Sequence, residues 1–247
     1  MSFTPVIEEL RIAVGAHTLA ATKVLPAEGV APSILTAHGY GPTATRHTVR
    51  YLLDELAAQG FGSLCFEFAG NGDSTGTLGD ATLSGRQAEL LAAADQLDPT
   101  RPPVLIGTSM GAHLAACAAE RLRPAGLVLF CPAAYPQRAA DRPFGQGLLP
   151  VGVHPDSPAF AGIKRFRGDL LVIAARQDQV VPSEVAEAYF EQAVTARSRS
   201  LIWIEDCDHF IHRSLPNRPH ERARITERIR SLLDLEPADG VSPKEKQ

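Results

Sequence analysis

A strong excess of charge of either sign is missing from this chain. Its 247 residues carry 24 lysines and arginines against 28 aspartates and glutamates, a net charge of −4, and the two signs are mixed along the sequence. A surface that binds nucleic acid or anionic lipid needs clustered basic residues, so we expect neither partner. No apolar run approaches the roughly 20 residues that span a bilayer, so we expect no membrane span.

Cysteine is also scarce. The four cysteines are widely spaced and lie in apolar or strand-like surroundings: Cys65, Cys117, Cys131 and Cys207. The first five residues show no basic segment followed by an apolar one, so we expect no signal peptide and a cytoplasmic location. Because thiols stay reduced in that compartment, these residues are expected to be buried free thiols rather than disulfides.

What the sequence does contain is a regular alternation of short apolar segments and amphipathic ones. Strands are predicted at 8–14, 18–25, 33–37, 63–68, 103–106, 127–131, 170–174 and 201–204, and helices at 45–59, 81–97, 112–122, 183–194 and 219–233. Ser183 and Asn217 are predicted to cap the last two helices. This alternation predicts an α/β fold with a mostly parallel sheet and helices on both faces. We expect residues 1–236 to form a single domain and the polar residues 237–247 to be a frayed tail.

One segment breaks the alternation. Residues 132–168 contain six prolines and no sustained helical period, which argues against a multi-helix cap. The segment is predicted to be a short irregular lid over the site, and its apolar residues Phe144, Leu148, Leu149 and Phe160 are candidates for the wall of a substrate pocket. The alternative is an ordinary surface loop that packs its own aromatic residues.

The most informative motif is Gly-Thr-Ser-Met-Gly at residues 107–111, between a predicted strand and a predicted helix. This G-x-S-x-G spacing is typical of a nucleophile elbow, in which a tight turn holds the serine in a strained backbone conformation. The flanking glycines leave room for the strand and the helix to approach. Ser109 is therefore the candidate nucleophile, and the N–H of Met110 at the helix N-terminus is a candidate donor to an oxyanion.

A serine hydroxyl needs a base within hydrogen-bonding reach, and that base needs a group to orient it. In this architecture the acid and then the histidine follow the serine in the chain. Asp178 and His209 each follow a predicted strand in that order. Nearby alternatives are Glu205, Asp206 and Asp208 for the acid and His212 for the base, whereas His38 and His113 are expected to be packing residues.

Taken in order, these motifs resemble the α/β-hydrolase superfamily, specifically its small, lid-poor, esterase-like members, over about residues 5–235. The features that carry the resemblance are His38-Gly39-Tyr40-Gly41, Gly70-Asn71-Gly72-Asp73-Ser74, the elbow, Asp178 with Val181-Pro182, and His209. The resemblance implies that Ser109 is the nucleophile, Asp178 the orienting acid and His209 the general base. It also implies that the N–H of Tyr40 is the second oxyanion donor. The N–H of Gly41 is the alternative donor in this loop, whereas Pro42 is excluded because it has no N–H.

The chain departs from the family's pattern at three positions. Ala69 stands where arginine is usual, Glu67 where aspartate is common, and Asp208 where glycine is common. The second Gly-rich turn could be mistaken for a phosphate cradle, but no lysine follows it and we expect a solvated turn.

These residues predict a serine hydrolase that cleaves carboxylic esters of small to medium acyl groups through an acyl-enzyme, with no metal or organic cofactor. The expected partner is a small-molecule acyl substrate, which Tyr40 would also help to bind. Two alternatives are open. One is a thioesterase acting on acyl groups carried by coenzyme A or a carrier protein, and the other is a non-catalytic ligand receptor on the same fold.

Overall fold

The computed structural model describes residues 3–233, which build one eight-stranded sheet in the order β1-β2-β4-β3-β5-β6-β7-β8. The strands are β1 Val6–Val14, β2 His17–Leu25, β3 Ile34–Ala37, β4 Ser63–Phe66, β5 Val104–Thr108, β6 Gly126–Phe130, β7 Asp169–Ala175 and β8 Ser198–Ile204. β2 pairs antiparallel with β1 and with β4, and all other pairs are parallel. The predicted fold class, a mostly parallel α/β sheet, is confirmed.

Helices cover both faces of this sheet. They are α1 Arg50–Ala58, α2 Leu83–Ala94, α3 Met110–Leu122, α4 Pro158–Arg165, α5 Ser183–Gln192, α6 Ile211–Ser214 and α7 Pro219–Leu233. Leu90, Leu114, Phe160 and Tyr189 place α2 to α5 in one buried cluster. Leu52 of α1 and Ile229 of α7 belong to a second cluster on the other face. Within residues 3–233, no helix combines the length and apolar character needed to cross a membrane.

Several predicted helix ends differ from the structure. The predicted helix 45–59 is a 3₁₀ turn at Arg46–Val49 followed by α1, because the Thr45 side chain accepts the His47 N–H and sets a tighter first turn. Ser183 is not a cap: it is the first residue of α5, and Pro182 takes the cap position without a side-chain hydrogen bond. Asn217 is not a cap either, since it ends the 3₁₀ helix Leu215–Asn217.

The proline-rich segment 132–168 is more regular than predicted, because it contains α4. Pro158 occupies the first turn of α4, where its missing N–H would have no helical partner anyway. Gly162 lies so close to α3 that an added Cβ would be 2.2 Å from the Ala116 carbonyl oxygen. The last part of this segment is therefore core structure packed on α3, not an irregular lid. The predicted tail, residues 237–247, lies outside the described residues.

The parallel strands bring their carboxyl ends to one edge of the sheet. His38 and Gly39 follow β3, Ser109 follows β5, Asp178 follows β7 by three residues, and His209 follows β8 by five. Ligand sites of open parallel sheets lie at this edge. The fold therefore places the chemically informative loops next to one another.

Candidate active site

Ser109 lies at the junction of β5 and α3 in a strained backbone conformation, with φ 53° and ψ −113°. Non-glycine residues rarely adopt a positive φ, and strain of this kind is concentrated at functional sites. The glycines on either side are required by space. A Cβ on Gly107 would lie 2.5 Å from the Ala112 Cα, and one on Gly111 would lie 2.1 Å from the Ala37 carbonyl oxygen. The turn therefore holds Ser109 at the sheet edge.

His209 lies between Ser109 and Asp178. Its Nε2 is 3.1 Å from the Ser109 Oγ, and its Nδ1 is 2.7 Å from the Asp178 Oδ2. An ionised carboxylate only accepts hydrogen bonds, so Nδ1 carries the proton and donates it to Asp178. Nε2 is then free to accept the Ser109 hydroxyl proton. The arrangement has the geometry of a nucleophile, a base and an orienting acid.

Asp178 is held in place and kept ionised by several donors. Its Oδ1 accepts the backbone N–H groups of Val180 and Val181, both at 2.8 Å, while Oδ2 faces His209. Burial by itself would raise the pKa of Asp178, but the hydrogen bonds from His209 and the backbone outweigh it and keep the pKa below its usual value. The carboxylate is thus negative at neutral pH and can stabilise an imidazolium at His209.

The rival carboxylates are engaged elsewhere. Asp208 accepts the backbone N–H of Phe210, Glu205 pairs with Arg176, and Asp206 accepts from Gln177. Within residues 3–233, Asp178 is the carboxylate that contacts the His209 ring.

The other histidines at this edge are held in neutral packing roles. His212 contacts the Thr108 and Tyr51 hydroxyl groups, at 2.7 and 3.0 Å, and His113 accepts the backbone N–H of Tyr135. His38 accepts the backbone N–H of Phe68 through Nε2. Burial lowers the pKa of each of the three to about 3.

The loop after β3 passes directly beside the nucleophile. A Cβ on Gly39 would lie 3.3 Å from the Ser109 Cβ, so a larger residue there would require a small shift of the nucleophile turn. His38 Nδ1 donates to the Gly39 carbonyl oxygen at 2.8 Å. Because the peptide is trans, the N–H of Tyr40 points away from that carbonyl and from His38. Tyr40 therefore follows the glycine that packs against Ser109, and Met110, the first residue of α3, directly follows Ser109 in the chain. Their N–H groups remain the predicted oxyanion donors.

Comparison with known proteins agrees with this fold. A family model described as serine aminopeptidase, S33, within a hydrolase family, matches residues 30–152. Solved structures with the same fold include a serine hydrolase without a lid from Xanthomonas campestris, at 22% identity and TM-score 0.66, covering 94% of this chain and 97% of that one. The chain belongs to the α/β-hydrolase superfamily. None of the curated proteins matches this chain.

Two further structures show that this hydrolase shares its fold with ester- and thioester-cleaving enzymes. An esterase from Thermogutta terrifontis is 18% identical, with TM-score 0.70 and coverage of 91% of this chain and 99% of that one. A thioesterase domain from the curacin biosynthetic pathway is 14% identical, with TM-score 0.67 and the same coverage. At these identities the likeness concerns the fold alone.

The second Gly-rich turn of the hydrolase, residues 70–74, is predicted to be a solvated turn. The structure differs, because Asn71 in this turn is buried and hydrogen-bonded. Asn71 is buried, and its Nδ2 donates to the carbonyl oxygens of Gly41 and Ala44 at 2.7 and 3.1 Å. Arg86, which is fully buried, donates to the Asn71 Oδ1 at 2.8 Å. Asn71 therefore ties down the loop that carries Tyr40. The only sequence feature that could have indicated this role is the position of Asn71 in a Gly-Asn-Gly turn. Its hydrogen-bonding partners are distant from it in the chain.

We expect Asn71→Ala to lower kcat of the hydrolase about tenfold with little change in KM, because a loosened loop would misplace Tyr40, whose N–H is the predicted second oxyanion donor. Complete loss of such a donor costs about 10²- to 10³-fold, which is the upper limit. Steady-state kinetics on an aryl ester measures this. Asn71→Asp, which keeps the acceptor for Arg86 but loses both donors, should be impaired to a similar degree. An Asp variant with normal kcat would contradict the assignment.

Glu67 has a structural role that explains its departure from the family's pattern. Its buried Oε2 accepts from Arg46 Nη1 at 2.5 Å and from the Asp73 backbone N–H at 2.7 Å. A Cβ on Gly72 would lie 2.2 Å from the Glu67 carboxyl group. The longer acid thus fills space that Gly72 leaves open, and it anchors Arg46, which opens the 3₁₀ turn before α1.

A cavity of about 150 Å³ lies beside Ser109, between the 36–49 segment and residues 209–213. Its wall includes Tyr40, Thr45, Val49 and His212, and its mouth is flanked by two exposed aromatic side chains, Tyr40 and Phe210. Among the described residues, none from 132–168 lines it.

The predicted wall residues of segment 132–168 lie elsewhere. Phe160 is buried against Tyr189 in the core, and Leu148 and Leu149 pack on the same core cluster. Phe144 is buried, and its ring packs edge-on against the Tyr40 ring with 5.4 Å between the ring centroids. It therefore supports a residue of the cavity wall but is not part of the wall itself. Tyr40 is therefore the one predicted substrate-binding residue that lines this cavity. The others were misplaced because the packing of α4 cannot be read from local sequence.

Proposed function

We propose that this α/β hydrolase is a serine esterase that cleaves carboxylic esters by two-step acyl transfer, with Ser109, His209 and Asp178 as its catalytic residues. The observation that carries the proposal is the continuous contact from the Ser109 Oγ through His209 to Asp178, at 3.1 and 2.7 Å. The strained elbow at Ser109 and the ester-cleaving enzymes among its structural neighbours support it.

In the first step, His209 Nε2 takes the Ser109 proton while the Oγ attacks the acyl carbonyl carbon. The N–H groups of Tyr40 and Met110 stabilise the negative oxygen of the tetrahedral intermediate, and Asp178 stabilises the imidazolium. The imidazolium then protonates the departing alcohol, leaving an acyl-Ser109 ester. Water, deprotonated by His209, repeats the attack and releases the acid. Every group needed is supplied by side chains or backbone of the chain itself.

The cavity beside Ser109 limits the size of one half of the substrate. An apolar cavity of about 150 Å³ in another protein holds benzene, so a group of about six non-hydrogen atoms fills this one. We assign it to the acyl group, because the cavity opens at Ser109 and the aromatic residues at its mouth are free to contact the alcohol side.

This assignment predicts a sharp fall of kcat/KM with acyl length. Aryl esters of acyl groups beyond about six carbons should react about tenfold or more slowly, since over-filling a packed site costs about 1–3 kcal/mol. Val49→Ala enlarges the cavity and should shift the optimum to a longer chain, whereas Val194→Ala, at an exposed site that follows α5 and does not line the cavity, should not. A flat series in the wild type, or no shift in the Val49 variant, would refute the acyl assignment.

A thioesterase is the second candidate, because Tyr40 and Phe210 on the cavity wall are exposed and no residue of 132–168 lines the cavity. A carrier-borne acyl group could reach Ser109 through such a mouth. Hydrolysis of an aryl ester and of the coenzyme A thioester with the same acyl group separates the two. A higher kcat/KM on the ester supports the esterase, and a higher value on the thioester supports the second candidate.

A further inference from the structure

Three side chains of the types that bind Zn²⁺ lie close together near Ser109. They are Cys131, Asp178 and His209, and one ligand atom from each lies within 4.8 Å of the other two. The proposed reaction uses Asp178 and His209 but leaves Cys131 without a role.

The backbone holds Cys131 in a defined, uncommon conformation. Cys131 directly follows β6, its N–H donates to the Ile173 carbonyl oxygen at 2.8 Å, and its φ is 42°. A left-handed conformation is unfavourable for a non-glycine residue. The side chain is 2% exposed and lies against Asp178, so the thiol belongs to the surroundings of the orienting acid.

Cys131 and Asp178 also line a cavity that Ser109 does not line. A second cavity, of about 100 Å³, is lined by Cys131, Asp178, Trp203 and the exposed Ser183. Arg176 also lines it, with its guanidinium 4.1 Å above the Trp203 ring and 3.4 Å from the Glu205 carboxylate. Glu205 offsets the positive charge of Arg176, so a cation is not excluded from this cavity by charge.

We propose that Cys131, Asp178 and His209 form an inhibitory site for a soft divalent cation of the Zn²⁺ class, entered from the cavity behind Asp178. Cys131 would lose its proton to solvent, and thiolate and carboxylate together would balance the two positive charges. Zn–S and Zn–N bonds of about 2.3 and 2.0–2.1 Å put tetrahedral ligands about 3.3–3.8 Å apart. Shifts of about 1 Å therefore suffice, and water completes the coordination.

The ligand atoms of the proposed site determine which class of metal it favours. Thiolate and imidazole favour Zn²⁺ and its soft relatives over Mg²⁺ or Ca²⁺, which prefer all-oxygen sites. A metal bound to the His209 ring would remove either its hydrogen bond to Asp178 or its capacity to take the Ser109 proton. Binding therefore switches off the proposed hydrolysis, and only this inhibitory consequence depends on the proposed function.

Direct binding is measured with Cd²⁺ on the Ser109→Ala protein, which keeps all three ligands and needs no activity. We expect a thiolate-to-metal charge-transfer absorption that saturates at one Cd²⁺ per chain. The band should vanish in Cys131→Ser and persist in Cys117→Ser, a matched control at a thiol on α3. No band, or a band that survives in Cys131→Ser, overturns the proposal.

His209→Ala gives a second readout if the serine variant fails to fold. It keeps the thiol but loses one ligand, so Cd²⁺ affinity should fall by at least about tenfold, since even outer-shell partners are worth about 10- to 100-fold. Unchanged affinity would contradict the site. Zn²⁺ inhibition of wild-type ester hydrolysis, reversed by chelator, should weaken at least about tenfold in Cys131→Ser, each rate being taken relative to the metal-free rate. Cd²⁺ binding without any ester hydrolysis would refute the proposed function and leave the metal site standing.

Discussion

His209→Ala is expected to lower kcat for aryl ester hydrolysis by about 10⁶-fold, the loss seen when the catalytic histidine is removed from another serine hydrolase. The reason is geometric. The His209 Nε2 lies 3.1 Å from the Ser109 Oγ and is the proposed base, and the other three histidines at this edge are buried and held by other partners. Steady-state or single-turnover kinetics measures the effect.

The matched control is His220→Ala, on the exposed side of α7. Surface substitutions usually change stability by less than about 0.5 kcal/mol, so its kcat should stay within about twofold of the wild type. If His209→Ala retained more than a hundredth of the wild-type kcat, His209 would not be the general base.

Asp178→Asn is expected to lower kcat by about 10⁴-fold with a smaller change in KM. The amide keeps the shape of the side chain, and its oxygen can still accept the Val180 and Val181 N–H groups. Its NH₂ group would face the His209 Nδ1, which favours the tautomer with the proton on Nε2. The ring then cannot accept the Ser109 proton, and no negative charge stabilises the imidazolium.

Asp208→Asn is the control for this substitution, because Asp208 lies next to His209 in the chain but bonds the Phe210 N–H instead. Its amide oxygen can still accept that bond, so kcat should remain within about twofold. A large loss in Asp208→Asn together with a small one in Asp178→Asn would exchange the two assignments.

The parts of this site that could be predicted are those that local sequence and sheet geometry determine. The elbow at 107–111 is a five-residue motif, and its glycines are explained by contacts with Ala112 and Ala37 nearby in the structure. Asp178 and His209 could be placed near Ser109 because all three follow parallel strands of one sheet.

The parts that could not be predicted depend on contacts between distant residues. Nothing local links Asn71 to the carbonyl of Gly41, or Glu67 to Arg46, and both partnerships shape the loops around Ser109. The density of prolines in 132–168 led to the prediction of an irregular segment, and α4 was missed. Pro158 does not break this helix, because it lies in the first turn, where proline is tolerated. The cavity beside Ser109 is lined by residues of the 36–49 segment and not by the predicted 132–168 segment. No apolar pattern in residues 36–49 indicated a pocket there.

The most direct test is covalent labelling with a fluorophosphonate, which reacts with a serine only when a base activates it. We expect one adduct per folded wild-type chain, located by peptide mass spectrometry on Ser109, and none on Ser109→Ala. Labelling should also be lost in His209→Ala, which retains the serine. A folded wild type that takes up no label, as expected of a non-catalytic receptor, or one that carries it on another residue, would contradict the account.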